Sequence, residues 1–175
     1  DIEGFVLEQS IEMLEGTPQS WPMAFVYNKG WHQGVIGIVA GKLKERYNLP
    51  AFVMSIEDDE VKGSARSIPG VDLGALIIAA KEKGVLTKGG GHTMAAGFSL
   101  TEAQIPAFRT FAGEYIARSL NNTRPHPVIN IDLSLSLPAA NAGLCSELER
   151  LKPFGTGNPE PLLLLRGVYF QRPCI

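Results

Sequence analysis

Cysteine is nearly absent: the 175 residues hold two, Cys145 and Cys174, far apart and without Cys-x-x-Cys spacing. A zinc ribbon and a thioredoxin-type site are thereby excluded, no disulfide framework is available, and a reduced, cytoplasmic setting is expected. Histidine is also scarce. His32, His92 and His126 are scattered, with no Asp-x-Asp, His-x-x-x-His or carboxylate cluster beside them, so no metal is expected to bind here. No serine elbow and no Cys/His pair offers a nucleophile, and the chain alone is expected to be inactive. No apolar run approaches the roughly 18 residues that cross a membrane, and the start carries no signal-peptide pattern. A large excess of one charge sign is missing too. A net charge of −2 with 19% charged residues excludes a protein that coats polyanions generally. If nucleic acid is a partner, the basic groups must gather on one face.

What is present is an ordinary globular composition, 45% hydrophobic, long enough for one ample domain or for one domain and part of another. The chain opens as though in mid-helix, with Ile2, Phe5, Val6, Gln9, Met13 and Leu14 near helical spacing, and we expect a piece of a longer protein. Met23–Asn28 reads as a buried strand. A helix follows with the apolar stripe Val35, Ile36, Val39, Leu43 and Tyr47, ended by Asn48 and Pro50. Ala51–Ile56 and Val61–Ile68 read as strands hairpinned through the acidic run Glu57–Glu60. Asp72 is a good N-cap for a helix closed by Gly84, and Thr101 with Gln104 resembles a capping box for a helix from Glu102 to Leu120. Asn121–Pro127 is a linker. Beyond it, alternation predicts a strand carrying Ile129, Ile131, Leu133, Leu135 and Leu137 on one face, then a short helix around Gly143–Lys152, the loop PFGTGNPEP and a last strand LLLLRGVYF.

Three stretches invite chemistry. Gly34, Gly37 and Gly41 leave a bare strip on one helix face, against which another element or a ligand can pack; we read packing. Gly41-Lys42 imitates a nucleotide-binding loop, but the spacing is one residue short and Leu43 stands where Ser or Thr would bind magnesium. In KGSARS, a strand puts Ser64 and Arg66 on one face with Ala65 and Ser67 on the other. An arginine flanked by hydroxyls suits a phosphate, or else the face is merely solvated, with an ion pair to the acidic turn. GGGHTMAAG, with Gly90, Gly91 and His92, can turn backbone N–H groups toward an anion or a base; by itself a tight strand-to-helix turn explains it as well.

Taken in order and spacing, GWHQGVIGIVAGKLKERYNLPAFVMS, KGSARSI and GGGHTMAAGFSL closely resemble the domain that follows the Asp-His-His (DHH) domain in RecJ-like single-strand-specific DNA exonucleases of the DHH phosphoesterase superfamily. LKPFGTGNPEP resembles the same family's lead into an oligonucleotide-binding (OB) barrel. The resemblance covers roughly Asp1 to Arg172. It implies an α/β fold, a mixed β-sheet flanked by helices, followed by a partial, strand-rich OB-type segment. Residues 1–20 would be the helix connecting from a DHH domain, 21–122 the DHH-associated domain, and 123–175 the linker and the beginning of the OB-like domain. It further implies that manganese or magnesium belongs to that DHH domain and that this part grips the 5′ end of single-stranded DNA. Ser64 and Arg66 would hold the terminal phosphate. Gly90, Gly91 and His92 would lie beside the end nucleotide, with Lys62 and Lys88 as local basic groups. Ser67 is a weaker candidate because it points to the other strand face, and Trp31 and His32 are read as structural. Partners implied are the DHH domain and replication or repair proteins such as a single-strand-binding protein or a helicase. The competing readings are a phosphodiesterase of short oligoribonucleotides or cyclic dinucleotides, and a non-catalytic single-strand-binding module.

Overall fold

The computed structural model describes residues 1–16 and 22–169. Residues 17–20 of the expected connecting helix, Phe170 at the end of the last expected strand, and Cys174 lie outside the described residues. The chain divides into two units, Asp1–His126 and Pro127–Ile175.

The first unit runs α1 (Ile2–Glu15), β1 (Ala24–Lys29), α2 (Ile36–Tyr47), β2 (Ala51–Glu57), β3 (Glu60–Arg66), α3 (Leu73–Glu82), β4 (Lys88–His92), β5 (Ala95–Thr101) and α4 (Ile105–Ser119). The five strands form one mixed sheet in the order β1-β2-β3-β5-β4, parallel only between β1 and β2, where α2 makes the crossover. Helix boundaries follow their capping chemistry. Asp72 accepts from the Ala75 N–H, Gln104 Oε1 accepts from the Thr101 N–H at 2.9 Å, and Asn48 takes the left-handed conformation that ends α2.

Strand β2 is buried along almost its whole length because each of its faces meets a separate core. Ala51 and Val53 join Val6, Ala24, Val26, Ile36, Val39, Ala40 and Leu43 beneath α1 and α2. Phe52 and Met54 join the larger cluster under α3 and α4, where Phe25, Phe52, Phe98 and Phe108 pack ring against ring, Phe98 and Phe108 with centroids 4.9 Å apart. This aromatic core requires a glycine. A Cβ on Gly63 would sit 2.2 Å from Cζ of Phe98, so the ring lies flat across the β3 backbone.

Two expectations for the first unit need correction. The inward face of α1 is Val6, Leu7, Ser10, Ile11 and Leu14, while Ile2, Phe5 and Met13 are exposed. Ser10 can be buried there because its hydroxyl donates to the Val6 carbonyl at 2.7 Å. The triple glycine is neither a loop nor a strand-to-helix turn. It is the edge strand β4, turned onto β5 through Thr93 and Met94. That turn is tied down on both sides, Met94 O accepting from Ser67 N and Thr93 O from Leu73 N.

In the second unit the alternation from Ile129 to Leu137 yields only a three-residue strand, β6 (Leu133–Leu135), paired in parallel with β7 (Leu163–Leu165); α5 (Ala142–Glu149) lies between them in sequence. A strand extends only as far as a neighbour's backbone can bond to it, and β7 offers three residues. Leu137 falls in a 3₁₀ turn and Ile129 stays outside any ladder. PFGTGNPEP folds as a turn, with reciprocal bonds between Gly155 and Asn158 and the Asn158 amide donating to the Leu151 and Pro153 carbonyls.

Replacing Gly63 by Ala must displace the Phe98 ring, and a loss of about 1–3 kcal/mol in stability is expected. Gly41→Ala is the contrast, because a Cβ there meets nothing within 4 Å. In the interior of α2 it should stabilise by up to about 1 kcal/mol. Thermal unfolding of the two variants checks both signs.

Candidate nucleic-acid interface

Residues directly opposite one another in an antiparallel ladder share a face. The registers therefore sort β3, β5 and β4 into three rows on the side away from Phe98. Lys62 stands opposite Ser99, and Ser99 opposite Lys88. Ser64 stands opposite Gly97, and Gly97 opposite Gly90. Arg66 stands opposite Ala95, and Ala95 opposite His92. Over β1 and β2 this same face is buried by α1 and α2. Past β3 it lies open: Lys88, Gly90, His92 and Gly97 are exposed, and Lys62, Ser64, Arg66, Ala95 and Ser99 are half-buried.

Arg66 is fixed at the boundary between the covered and the open parts. One of its guanidinium nitrogens, Nη1, donates to Ser64 Oγ at 3.1 Å and to the Ala65 carbonyl at 2.9 Å. Among the described residues no carboxylate pairs with it, nor with Lys88. Among the described residues the ion pair to the acidic turn exists only for Lys62, whose Nζ lies 3.8 Å from Glu60 Oε2 with both side chains about half exposed. Such a contact contributes little and yields easily to another anion. A half-buried guanidinium without a counter-charge, beside a hydroxyl, is suited to a doubly hydrogen-bonded oxyanion.

The first turn of α2 supports this pair from above. A Cβ on Gly37 would lie 3.2 Å from Arg66 Nη2 and 3.2 Å from Ser64 Oγ. The glycine strip is thus divided. Gly37 lets the helix approach the Ser64–Arg66 pair, while Gly41 faces open space and Gly34 sits in the turn before the helix, where its N–H donates to His32 Nδ1 at 3.1 Å.

Beneath the open face, two of the three glycines of β4 serve packing. A Cβ on Gly89 would be 2.6 Å from Ile77 Cγ2 of α3, and one on Gly91 would be 2.5 Å from the Ala95 carbonyl oxygen. Gly91 therefore belongs to the hairpin, and Gly90 alone of the three presents its bare Cα to the open side.

Ser67 leaves the candidate set. It is buried, and its hydroxyl donates to the Val71 carbonyl at 2.7 Å and toward that of Ile68 at 3.2 Å, which holds the turn into α3. Trp31 is buried, with its indole N–H donating to Gln9 Oε1 at 2.8 Å and its carbonyl accepting from the Ser55 hydroxyl. His32 lies with Gln33, Ser55 and Glu57 along an open cleft of about 580 Å³ that meets the open face at Lys62. Among the described residues no three His, Cys, Asp or Glu side chains come together.

The sequence analysis marked Gly37 for packing without naming its partner, and missed Ala95, Gly97 and Ser99. The signal for the last three was available: they alternate with Ala96, Phe98 and Leu100, so pairing β5 with β3 would have placed them beside Ser64 and Arg66.

A family model described as the DHHA1 domain matches residues 21–118, and one described as the RecJ OB domain matches residues 131–175. The single-stranded-DNA-specific exonuclease RecJ of Bacillus subtilis is 33% identical over 166 residues, which is 94% of this chain and 21% of that protein. RecJ of Escherichia coli is 33% identical over 155 residues, 86% of this chain and 27% of that protein. The crystal structure of RecJ from Thermus thermophilus in complex with Mn²⁺ superposes with a TM-score of 0.75 at 32% identity, covering 93% of this chain and 24% of that one. The chain thus spans about a fifth to a quarter of the length of the proteins it matches.

The two serines should separate on mutation. Ser67→Ala leaves a buried carbonyl without its donor and should cost about 1–3 kcal/mol. Ser64→Ala, on the open face, should change stability by less than about 0.5 kcal/mol. Urea unfolding of both variants makes the comparison.

Proposed function

We propose, starting from the fact that this chain belongs to the DHHA1 domain family, that its open sheet face grips the 5′-phosphorylated end of a single-stranded DNA. In this reading it is the strand-holding portion of a RecJ-like 5′-to-3′ exonuclease. Hydrolysis of the phosphodiester bond belongs to a DHH domain, where manganese or magnesium would activate water. The observation that carries the reading is the half-buried Arg66, held by Ser64 and without a carboxylate partner among the described residues. A terminal phosphate has more charge and more free oxygens than an internal one, so a single bidentate guanidinium with a hydroxyl favours an end over the middle of a strand.

The remaining groups of the face suit the same substrate. Lys62, Lys88 and His92 surround it without offering the donor and acceptor pattern that reads base edges, as a sequence-neutral enzyme requires. The role of Arg66 is to position and to stabilise charge; it breaks no bond. The match of residues 131–175 to the RecJ OB domain favours the exonuclease over a small-substrate phosphodiesterase. The same reading assigns the chain to DNA repair and recombination in the cytoplasm. Among the described residues no helix is long and apolar enough to cross a membrane.

Fluorescence-anisotropy titration with short single strands, bearing a 5′-phosphate or a 5′-hydroxyl, tests the grip. The chain should prefer the phosphorylated strand, and Arg66→Ala should remove about tenfold or more of that preference, the range of one charge-assisted bidentate contact. Equal loss on both strands, or no binding by the unmodified chain at low salt, would overturn it.

A further inference from the structure

Gly90 and Gly97 are the two glycines of the sheet that the fold does not require. A Cβ on Gly90 would meet nothing within 4 Å, and one on Gly97 would meet only the Gly63 carbonyl oxygen, at 4.0 Å. Neither residue has a positive φ. Both lie inside regular strands, where glycine weakens the element and is found where another group approaches the backbone closely. Gly63, Gly89 and Gly91 have such neighbours within the protein; Gly90 and Gly97 have none.

Their positions are not independent. They face each other across the β4–β5 ladder, and Ser64 continues the row on β3. With strands about 4.8 Å apart, the row from Ser64 to Gly90 is roughly 10 Å long, and the flanking rows lie about 7 Å away on either side. The result is a trough. Beyond Ser64 its floor is bare peptide; the row on one side is Lys62, Ser99 and Lys88, and the row on the other is Arg66 (whose guanidinium leans back to Ser64), Ala95 and His92. A planar ring system fits such a floor flat, whereas any side chain at either glycine would stand up in the middle of it.

We propose that Gly97, with Gly90, forms a floor on which the terminal nucleobase of the bound strand lies flat, its phosphate directed to Ser64 and Arg66. This rests on the end-grip reading above and adds the base as a contact and Gly97 as a residue that determines access. Contact through a ring face is indifferent to base identity, because every base offers one.

The test uses Gly97→Val and the milder Gly97→Ala, each measured by thermal unfolding and by anisotropy with two 5′-phosphorylated strands. One strand has an ordinary terminal nucleotide and the other an abasic terminal residue. Because the fold leaves room for a side chain at Gly97, the expected melting temperature is unchanged or raised. Binding of the ordinary strand by Gly97→Val should weaken about tenfold, the range of one lost base contact, while the abasic strand binds as it does to the unmodified chain. A lowered melting temperature in both variants would overturn the claim that the fold tolerates a side chain there. Unchanged affinity for the ordinary strand, or equal loss on both strands, would overturn the base floor. If the unmodified chain still prefers a 5′-phosphate over a 5′-hydroxyl in those cases, the end grip stands and only the floor fails. Loss of that preference in the unmodified chain removes both.

Discussion

The ring of Phe98 occupies the space that a side chain at Gly63 would need, and the pairing of β3 with β5 is built around that contact. Alternation along a strand is strict, so a slip of one residue would exchange the two faces. Val61 and Ala65 would turn outward, and Lys62, Ser64 and Arg66 would be driven against the four-phenylalanine core. The buried aromatic cluster therefore does more than stabilise the unit. It sets the register that holds three polar side chains on the open side, opposite Ser99, Gly97 and Ala95. Gly37 on α2 acts from the other direction, leaving room for the guanidinium at the margin of the helix.

Charge on this face is sparse and local, so a net charge of −2 is compatible with the polyanionic ligand proposed for it. Lys62 is loosely engaged by Glu60, and neither Arg66 nor Lys88 is engaged by an acid among the described residues. On the proposed reading, a surface of this kind would hold one or two phosphates through well-aimed donors. It does not attract the length of a strand through a broad basic field, and affinity should fall only shallowly with salt.

Much of this was legible in the sequence, and the exceptions have physical causes. Lys62, Ser64 and Arg66 were readable because a period of two was marked by contrasting side chains. Asp72, Asn48 and the Thr101–Gln104 box were readable because capping chemistry is local. The glycine triplet was not, since residues without side chains carry no alternation, and nothing in Gly-Gly-Gly-His distinguishes an edge strand from a loop. The inward face of α1 was misread because Ser10, counted as polar, is buried by bonding to its own helix, while Phe5 and Ile2 remain exposed. From Ile129 to Leu137 the pattern alone promised a long strand, but ladder length is set by the partner, here the three residues of β7.

The central claim is that a strand end sits on the open side of β3, β5 and β4. The most direct measurement is a nitrogen–proton NMR titration of the chain with a 5′-phosphorylated single strand. The result expected is a set of shifted amides confined to residues 62–66, 88–92 and 95–99, together with a shifted Arg66 guanidinium signal. Shifts confined to α3 and α4, or to the residues from Pro127 onward, with residues 62–66 unmoved, would contradict it.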